Sequence, residues 1–77
     1  MSRYYFHFRD AISLVPDDEG TEFATLEEAV SEARASAKDM ALVRLREGGP
    51  IPFGAIEMTR GEEVLIKVPL RDILQHD

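Results

Sequence analysis

Hydrophobic and polar residues alternate over the first stretch of the chain, in the pattern of a β-strand with one buried face. In residues 3–9, every second position is aromatic: Tyr4, Phe6 and Phe8. Since successive side chains of a strand point to opposite faces, these three rings share one side of it. The segment holds four of the six aromatic residues of the chain. It therefore predicts a strand that organises the hydrophobic core.

A long helix is predicted in the middle of the chain. Residues 25–28 fit a capping box, with Thr25 as the N-cap and Glu28 reaching back from N3. Helix-forming residues continue to about Glu47, where the Gly-Gly-Pro sequence of residues 48–50 ends the helix. The apolar positions recur at spacings of three and four and form one stripe: Leu26, Ala29, Val30, Ala33, Ala37, Met40, Ala41 and Leu45. The alanines in its middle predict a helix that lies close to a sheet.

Short strands are predicted on both sides of this helix. Residues 12–15 form a second strand that ends at Pro16, since proline cannot donate to a strand ladder. The acidic residues Asp17, Asp18 and Glu19, followed by Gly20, form a turn, and residues 22–23 lead into the helix. After the helix, two alternating segments form a hairpin through a short connection that contains glycine: residues 54–60 and 63–68.

The last predicted strand also assigns side chains to faces. Val64, Ile66 and Val68 point inward, while Leu65 and Lys67 point outward. Pro69 ends the strand. The apolar residues that follow at helical spacing predict one amphipathic turn over an open edge of the core: Leu70, Ile73 and Leu74.

These elements predict a single α+β domain over residues 1–77. Its order is ββαββ followed by a short C-terminal helical turn, and its architecture is a two-layer sandwich of an antiparallel sheet and one long helix. The predicted core combines the helix stripe with the inward strand residues, which are Tyr4, Phe6, Phe8, Ile56, Met58, Val64, Ile66 and Val68. A single helix covers one face of the sheet and leaves the other uncovered.

Charge and cysteine content narrow the classes of function. The formal net charge is −6 and the pI is about 4.8, which argues against binding to a nucleic-acid backbone or to an anionic membrane. The chain has no cysteine, which excludes disulfides and thiolate metal sites. Its two histidines, His7 and His76, leave a zinc site dependent on carboxylates. No apolar signal segment or membrane span stands out, so we expect a cytoplasmic protein without cofactor.

A chain this short buries only about 60% of its unfolded surface, so its stability margin is small. Small scaffolds often gain stability from a disulfide, a metal or a partner subunit. With disulfides excluded, two interpretations remain open. Either the domain associates with itself or with another protein, or a well-packed core alone is sufficient.

Five segments, taken together, resemble a known family. They are Arg3-Tyr4-Tyr5-Phe6-His7, Pro16-Asp17-Asp18-Glu19-Gly20, the alanine-rich helix with Leu26, Ala29 and Ala33, Ile56-Glu57-Met58-Thr59, and Val68-Pro69-Leu70-Arg71-Asp72. This combination is similar to a family of short bacterial proteins classed as a domain of unknown function. The resemblance implies a bacterial origin and a small stand-alone domain, and it implies no activity. One departure is residues 10–13, where the family has a glycine-rich turn.

A second similarity is to antitoxin domains of the HicB type. These also place a strand pair and an acidic glycine turn before a helix that opens with the sequence of residues 25–29, Thr-Leu-Glu-Glu-Ala. The resemblance implies a role as a toxin-neutralising partner. The helix opening is also ordinary capping chemistry.

Three candidate sites have competing interpretations. His7 either forms a small-ligand or metal-dependent site with an acidic residue such as Glu57, as a general base or a ligand, or is a half-exposed strand residue. The acidic residues 17–19 either bind a hard cation or form a solvated turn, and they lack the spacing of an EF-hand loop. The glycine-rich segment 48–54 follows a helix rather than preceding one, which argues against a phosphate site. No residue spacing predicts a catalytic centre.

The uncovered face of the sheet is the feature that most favours a function. A mixed apolar and polar sheet face is typical of an interaction site, and tyrosine and arginine are enriched in binding hot spots. The alternative is an ordinary solvated face of an antiparallel sheet. We expect a non-enzymatic interaction module, as a homodimer or with another protein, that uses this face: Tyr5, His7, Arg9, Glu57, Leu65 and Lys67.

Overall fold

The computed structural model describes residues 1–48 and 54–75, and for residues 73–75 it describes the backbone only. The last two residues of the predicted helix stop, the side chains of Ile73 and Leu74, and His76 lie outside what is described. The elements are β1 (Ser2–Asp10), β2 (Leu14–Val15), β3 (Thr21–Phe23), α1 (Leu26–Arg46), β4 (Gly54–Arg60), β5 (Glu63–Pro69) and α2 (Leu70–Gln75).

The predicted fold class is confirmed. The sheet is antiparallel throughout, with the order β2-β1-β4-β5, and α1 packs on one face of it. The helix α2 contacts α1 as well as β4 and β5, so both helices lie in one layer. Within residues 1–48 and 54–75, no helix or strand packs on the opposite face, which we call the outer face.

The strand β3 was not predicted, and it adds a fifth strand to the expected ββαββ order. Thr21–Phe23 pairs with Ser2–Tyr4 of β1, whereas residues 22–23 were expected only to lead into the helix. The predicted second strand is also shorter than expected, because only Leu14 and Val15 pair with β1 and Ile12 is 94% exposed. Strands this short carry too few residues to show an alternation in the sequence.

Small residues let α1 approach the sheet closely. Its buried positions are Ala29, Ala33, Ala37 and Ala41, and the larger side chains beneath them come from the strands. Met58 of β4 and Leu70 of α2 are fully buried. The ends of the predicted stripe differ from the prediction, because Leu26 and Leu45 are largely exposed.

The capping box at the start of α1 is present as predicted. The Thr25 hydroxyl accepts a hydrogen bond from the Glu28 backbone N–H, and the Glu28 carboxylate accepts one from the Thr25 N–H. Such a cap contributes about 1 kcal/mol to stability because it satisfies donors that the first turn leaves unpaired. It fixes where the helix begins and hence which face of α1 meets the sheet.

A β-bulge reverses the predicted orientation of two residues in β5. Met58 pairs with Ile66, but the next residue, Thr59, pairs with Val64, so Leu65 is the extra residue between them. As a result, Leu65 packs against the core while Val64 is 46% exposed. The prediction that Val64 points inward and Leu65 outward was wrong, because alternation cannot reveal an inserted residue.

Candidate interaction surface on the outer sheet face

Strand pairing brings polar side chains together in two rows on the outer face. One row crosses from His7 on β1 to Glu57 on β4 and Lys67 on β5. The second row crosses from Tyr5 to Thr59. Arg9 lies on the same side of β1 as Tyr5 and His7, since it is two residues further along the strand.

Glu57 is the centre of the first row. Its carboxylate oxygen Oε2 lies 2.6 Å from Nε of Arg9 and 3.9 Å from Nζ of Lys67. The Glu57 side chain is only 7% exposed, whereas those of Arg9 and Lys67 are 53% and 63% exposed. A carboxylate shielded from water in this way needs compensating charge, and the two cations supply it. The outward charges of the cluster are consequently positive.

His7 is held from two sides. The Asp17 backbone N–H donates to Nδ1 of the imidazole at 2.9 Å, and Nε2 lies 3.1 Å from the hydroxyl oxygen of Thr59. Because Nδ1 accepts a hydrogen bond, the ring proton resides on Nε2 and is donated to Thr59. A metal ion or a proton at His7 would displace one of these bonds. The arrangement favours the interpretation of His7 as a packed strand residue.

The acidic turn after β2 closes on itself through Asp17. Oδ2 accepts a hydrogen bond from the Phe6 N–H at 3.1 Å, and Oδ1 accepts from the N–H groups of Glu19 and Gly20, each at 3.2 Å. Burial acts to raise the pKa of the Asp17 carboxyl, but these donors outweigh it and the pKa is lowered. Since both oxygens already have donors, Asp17 serves the turn rather than a cation.

The same turn supports Tyr5 on the outer face. Gly20 has a φ of 70°, and a Cβ placed on it would lie 2.8 Å from Cε2 of Tyr5. The Tyr5 ring in turn lies parallel to the imidazole of His7, with an interplanar angle of 3° and a centroid distance of 6.3 Å. The turn therefore positions the two rings of β1 that lie on the outer face: His7 through a backbone N–H and Tyr5 through close packing.

Most of the predicted interaction residues lie together, and one does not. Tyr5, His7, Arg9, Glu57 and Lys67 share the outer face. Leu65 packs against the core because of the bulge.

Sequence analysis missed the residues that support this face from the turn, Asp17 and Gly20. Their signal was the acidic turn sequence, which predicted a solvated turn or a cation site but no contact with the side chains of β1. Across the described parts of the chain, no group of three histidine, aspartate or glutamate residues is arranged to hold a metal ion.

A family model described as Domain of unknown function (DUF6894) matches residues 3–71. The chain belongs to the DUF6894 family. This match confirms the predicted membership of an uncharacterised domain family and extends over nearly all the elements described above. Comparison with curated proteins and with solved structures gives no match.

The DUF6894 domain shows no feature of a membrane-spanning helix in the part of the chain that the structure describes. Neither α1 nor α2 combines the length and the apolar character that a bilayer crossing requires. The similarity to antitoxins of the HicB type stays a prediction.

Proposed function

We propose that this DUF6894 domain is a non-enzymatic module of the bacterial cytoplasm that binds another protein on the outer face of its sheet. The observation that carries the proposal is the cluster of Arg9, Glu57 and Lys67 on a face that no described helix or strand covers. The cations there are exposed while their carboxylate is shielded. A protein that approaches this face contacts the exposed cations before it contacts the shielded carboxylate.

The state of the titratable side chains supports a non-enzymatic role. A general base needs a free lone pair within reach of a substrate proton. Both ring nitrogens of His7 are engaged, and the oxygens of Asp17 accept backbone hydrogen bonds. Glu57 is committed to two cations. His7 would have to break one of its hydrogen bonds to act as a general base, and the contacts of Asp17 and Glu57 stabilise the domain itself.

The charges also favour a different protein over a second copy. A face-to-face homodimer would place the exposed cations of one copy, Arg9 and Lys67, near the same cations of the other. Like charges brought together across an interface oppose association. The domain therefore binds a different protein, and the outer face is its binding surface.

The test compares matched charge reversals on the two layers. Lys67→Glu changes the outer face, and Arg34→Glu makes the same change on an exposed position of α1. Wild type and both variants are used for affinity capture from cells of the source organism. The captured protein is then purified, and its contacts on the isotope-labelled domain are mapped by NMR.

The proposal requires a partner that Lys67→Glu loses and Arg34→Glu keeps, with NMR shifts concentrated on the outer face. Capture that is unaffected by Lys67→Glu, shifts confined to α1, or no partner at all would contradict it. Light scattering on the same samples reports the oligomeric state. A dimer that Lys67→Glu dissociates would replace the hetero-partner with a second copy.

A further inference from the structure

We propose that the partner presents an acidic segment, rich in aspartate and glutamate, whose carboxylates bind Arg9 and Lys67. This inference rests on the proposed function and names the chemistry of the partner. Three observations support it: the net positive charge of the cluster, the hydrogen-bond donors that Arg9 and Lys67 retain, and the negative charge of the chain as a whole.

The exposed charge of the cluster is positive although the chain is acidic. Two cations share the single carboxylate of Glu57, so one positive charge remains uncompensated within the cluster. The carboxylate is shielded by its neighbours, which hides the negative charge from an approaching molecule. The whole chain carries a formal charge of −6. The cluster of Arg9, Glu57 and Lys67 is thus locally positive on a negative domain.

The two cations retain hydrogen-bond donors for a ligand. Among the described residues, Arg9 uses only Nε toward Glu57, and a guanidinium has further N–H groups that match a carboxylate in geometry. Nζ of Lys67 lies 3.9 Å from Glu57, beyond hydrogen-bond distance, and the Lys67 side chain is 63% exposed, so Glu57 does not use its ammonium donors. A carboxylate of the partner can accept from either side chain without removing Glu57 from its place.

Arg9 and Lys67 flank Glu57 from the two neighbouring strands. Their charged groups lie 2.6 Å and 3.9 Å from the same oxygen of Glu57, closer together than the two strand spacings of about 4.8 Å each that separate β1 from β5. An extended acidic segment that crosses the sheet can therefore reach both cations with carboxylates on successive exposed positions. Tyr5 and His7 form a parallel ring pair beside the cations, which gives such a segment an apolar surface for its backbone and side-chain carbons.

The overall charge selects against other anionic ligands. Charges separated by more than about 8 Å are screened at physiological ionic strength, so a short peptide senses mainly the local cluster. A nucleic acid or an anionic membrane extends far beyond it and meets the acidic remainder of the domain, including the exposed residues Asp18 and Glu19. The inference is therefore limited to a short acidic segment of a protein.

The experiment titrates the isotope-labelled full chain with a short peptide of alternating glutamate and aspartate. The matched control peptide has glutamine and asparagine at the same positions. We expect the acidic peptide to bind at low ionic strength, with NMR shifts at Arg9, Glu57 and Lys67, and to bind more weakly as salt is added. Lys67→Gln should weaken binding roughly two- to fivefold, the value of one partly exposed ion pair. Arg34→Gln should leave it unchanged.

Several outcomes would overturn the inference. They are equal binding of the neutral peptide, equal effects of Lys67→Gln and Arg34→Gln, shifts centred on α1, or no binding at millimolar peptide. Binding of a single-stranded oligonucleotide at the same residues in place of the peptide would also overturn it. If the captured natural partner still depends on Lys67 while the acidic peptide does not bind, this inference fails and the proposed function stands. If the capture does not depend on Lys67 and the acidic peptide does not bind, both this inference and the proposed function fail.

Discussion

The two faces of the sheet are stabilised by different means, although they share the same strands. The inner face is apolar, and α1 covers it with the side of the helix that carries buried alanines. The outer face carries Glu57 and Thr59, which are buried by their own neighbours rather than by another element. Burial of apolar area drives the packing of the inner face. The outer face depends on satisfied polar contacts, each of modest net value. Stability is therefore concentrated on the inner face of the sheet.

Adjacent residues of β4 allow the two faces to be compared directly. Met58 is fully buried under the helices, and Met58→Ala should destabilise the domain by about 3 kcal/mol, since it removes apolar contacts and leaves a cavity. Thr59 on the outer face holds His7, and Thr59→Ala should cost only about 1 kcal/mol. Urea unfolding measures both. A Thr59→Ala effect as large as that of Met58→Ala would show that the faces contribute equally.

The turn beneath the outer face is tested by Gly20→Ala. The added Cβ would lie 2.8 Å from the Tyr5 ring and 2.9 Å from the Tyr4 carbonyl oxygen, at a φ of 70°. We expect a loss of roughly 2 kcal/mol from the strained φ and the clash together. The matched control is Gly61→Ala, which has a φ of 63° but no atom within 4 Å of its Cβ. It should cost about 1 kcal/mol. Equal losses in thermal or urea unfolding would mean that the contact with Tyr5 contributes nothing.

Glu57→Gln separates the stability of the outer face from its binding. The substitution removes the anion that Arg9 and Lys67 share, so we expect a loss of about 1–2 kcal/mol in unfolding free energy. The cations remain exposed and become fully uncompensated. Affinity for the acidic peptide should therefore rise about two- to fivefold, the value of a partly exposed charge interaction. Weaker peptide binding by Glu57→Gln would show that the carboxylate takes part in recognition.

The smallest expected effect is on the pH dependence of stability, through Asp17. The pKa of Asp17 is lowered, so the folded state favours its charged form. A carboxyl of this kind contributes stability above its unfolded pKa, near 3.8, and loses that contribution as pH falls through the lower folded pKa. Unfolding free energies measured from neutral pH to below pH 4 should therefore fall less steeply for Asp17→Asn than for wild type. The same slope for both proteins would contradict this role of Asp17.

The inner face could be predicted from the sequence because its signals are local and periodic. The aromatic alternation of β1, the capping box at Thr25 and the alanine spacing of α1 each specify one element, and the structure confirms them. The hairpin of β4 and β5 was found within one residue of its bounds for the same reason.

The residues of the outer face could be predicted from alternation except around the bulge at Leu65, but their hydrogen bonds and ion pairs could not. Alternation placed Tyr5, His7, Arg9, Glu57 and Lys67 on one side, yet it could not show that Glu57 is shielded or that Asp17 holds His7. Those contacts join residues that are distant in sequence and depend on the strand register. The bulge at Leu65 was invisible for a related reason, since an inserted residue leaves the hydrophobic pattern of β5 apparently regular.

The interruption between β2 and β3 has a consequence for aggregation. A continuous partner strand would pair the whole length of β1, but here the Asp17 carboxylate fills the gap and occupies the Phe6 N–H. An exposed edge strand can pair with a strand of another molecule, and natural proteins prevent this with charged residues and β-bulges at the edge. Because the Asp17 carboxylate lies at this gap, the edge of β1 is a poor template for an additional strand. This edge of β1 is thus protected against pairing with a foreign strand at the point where its own partner strands are interrupted.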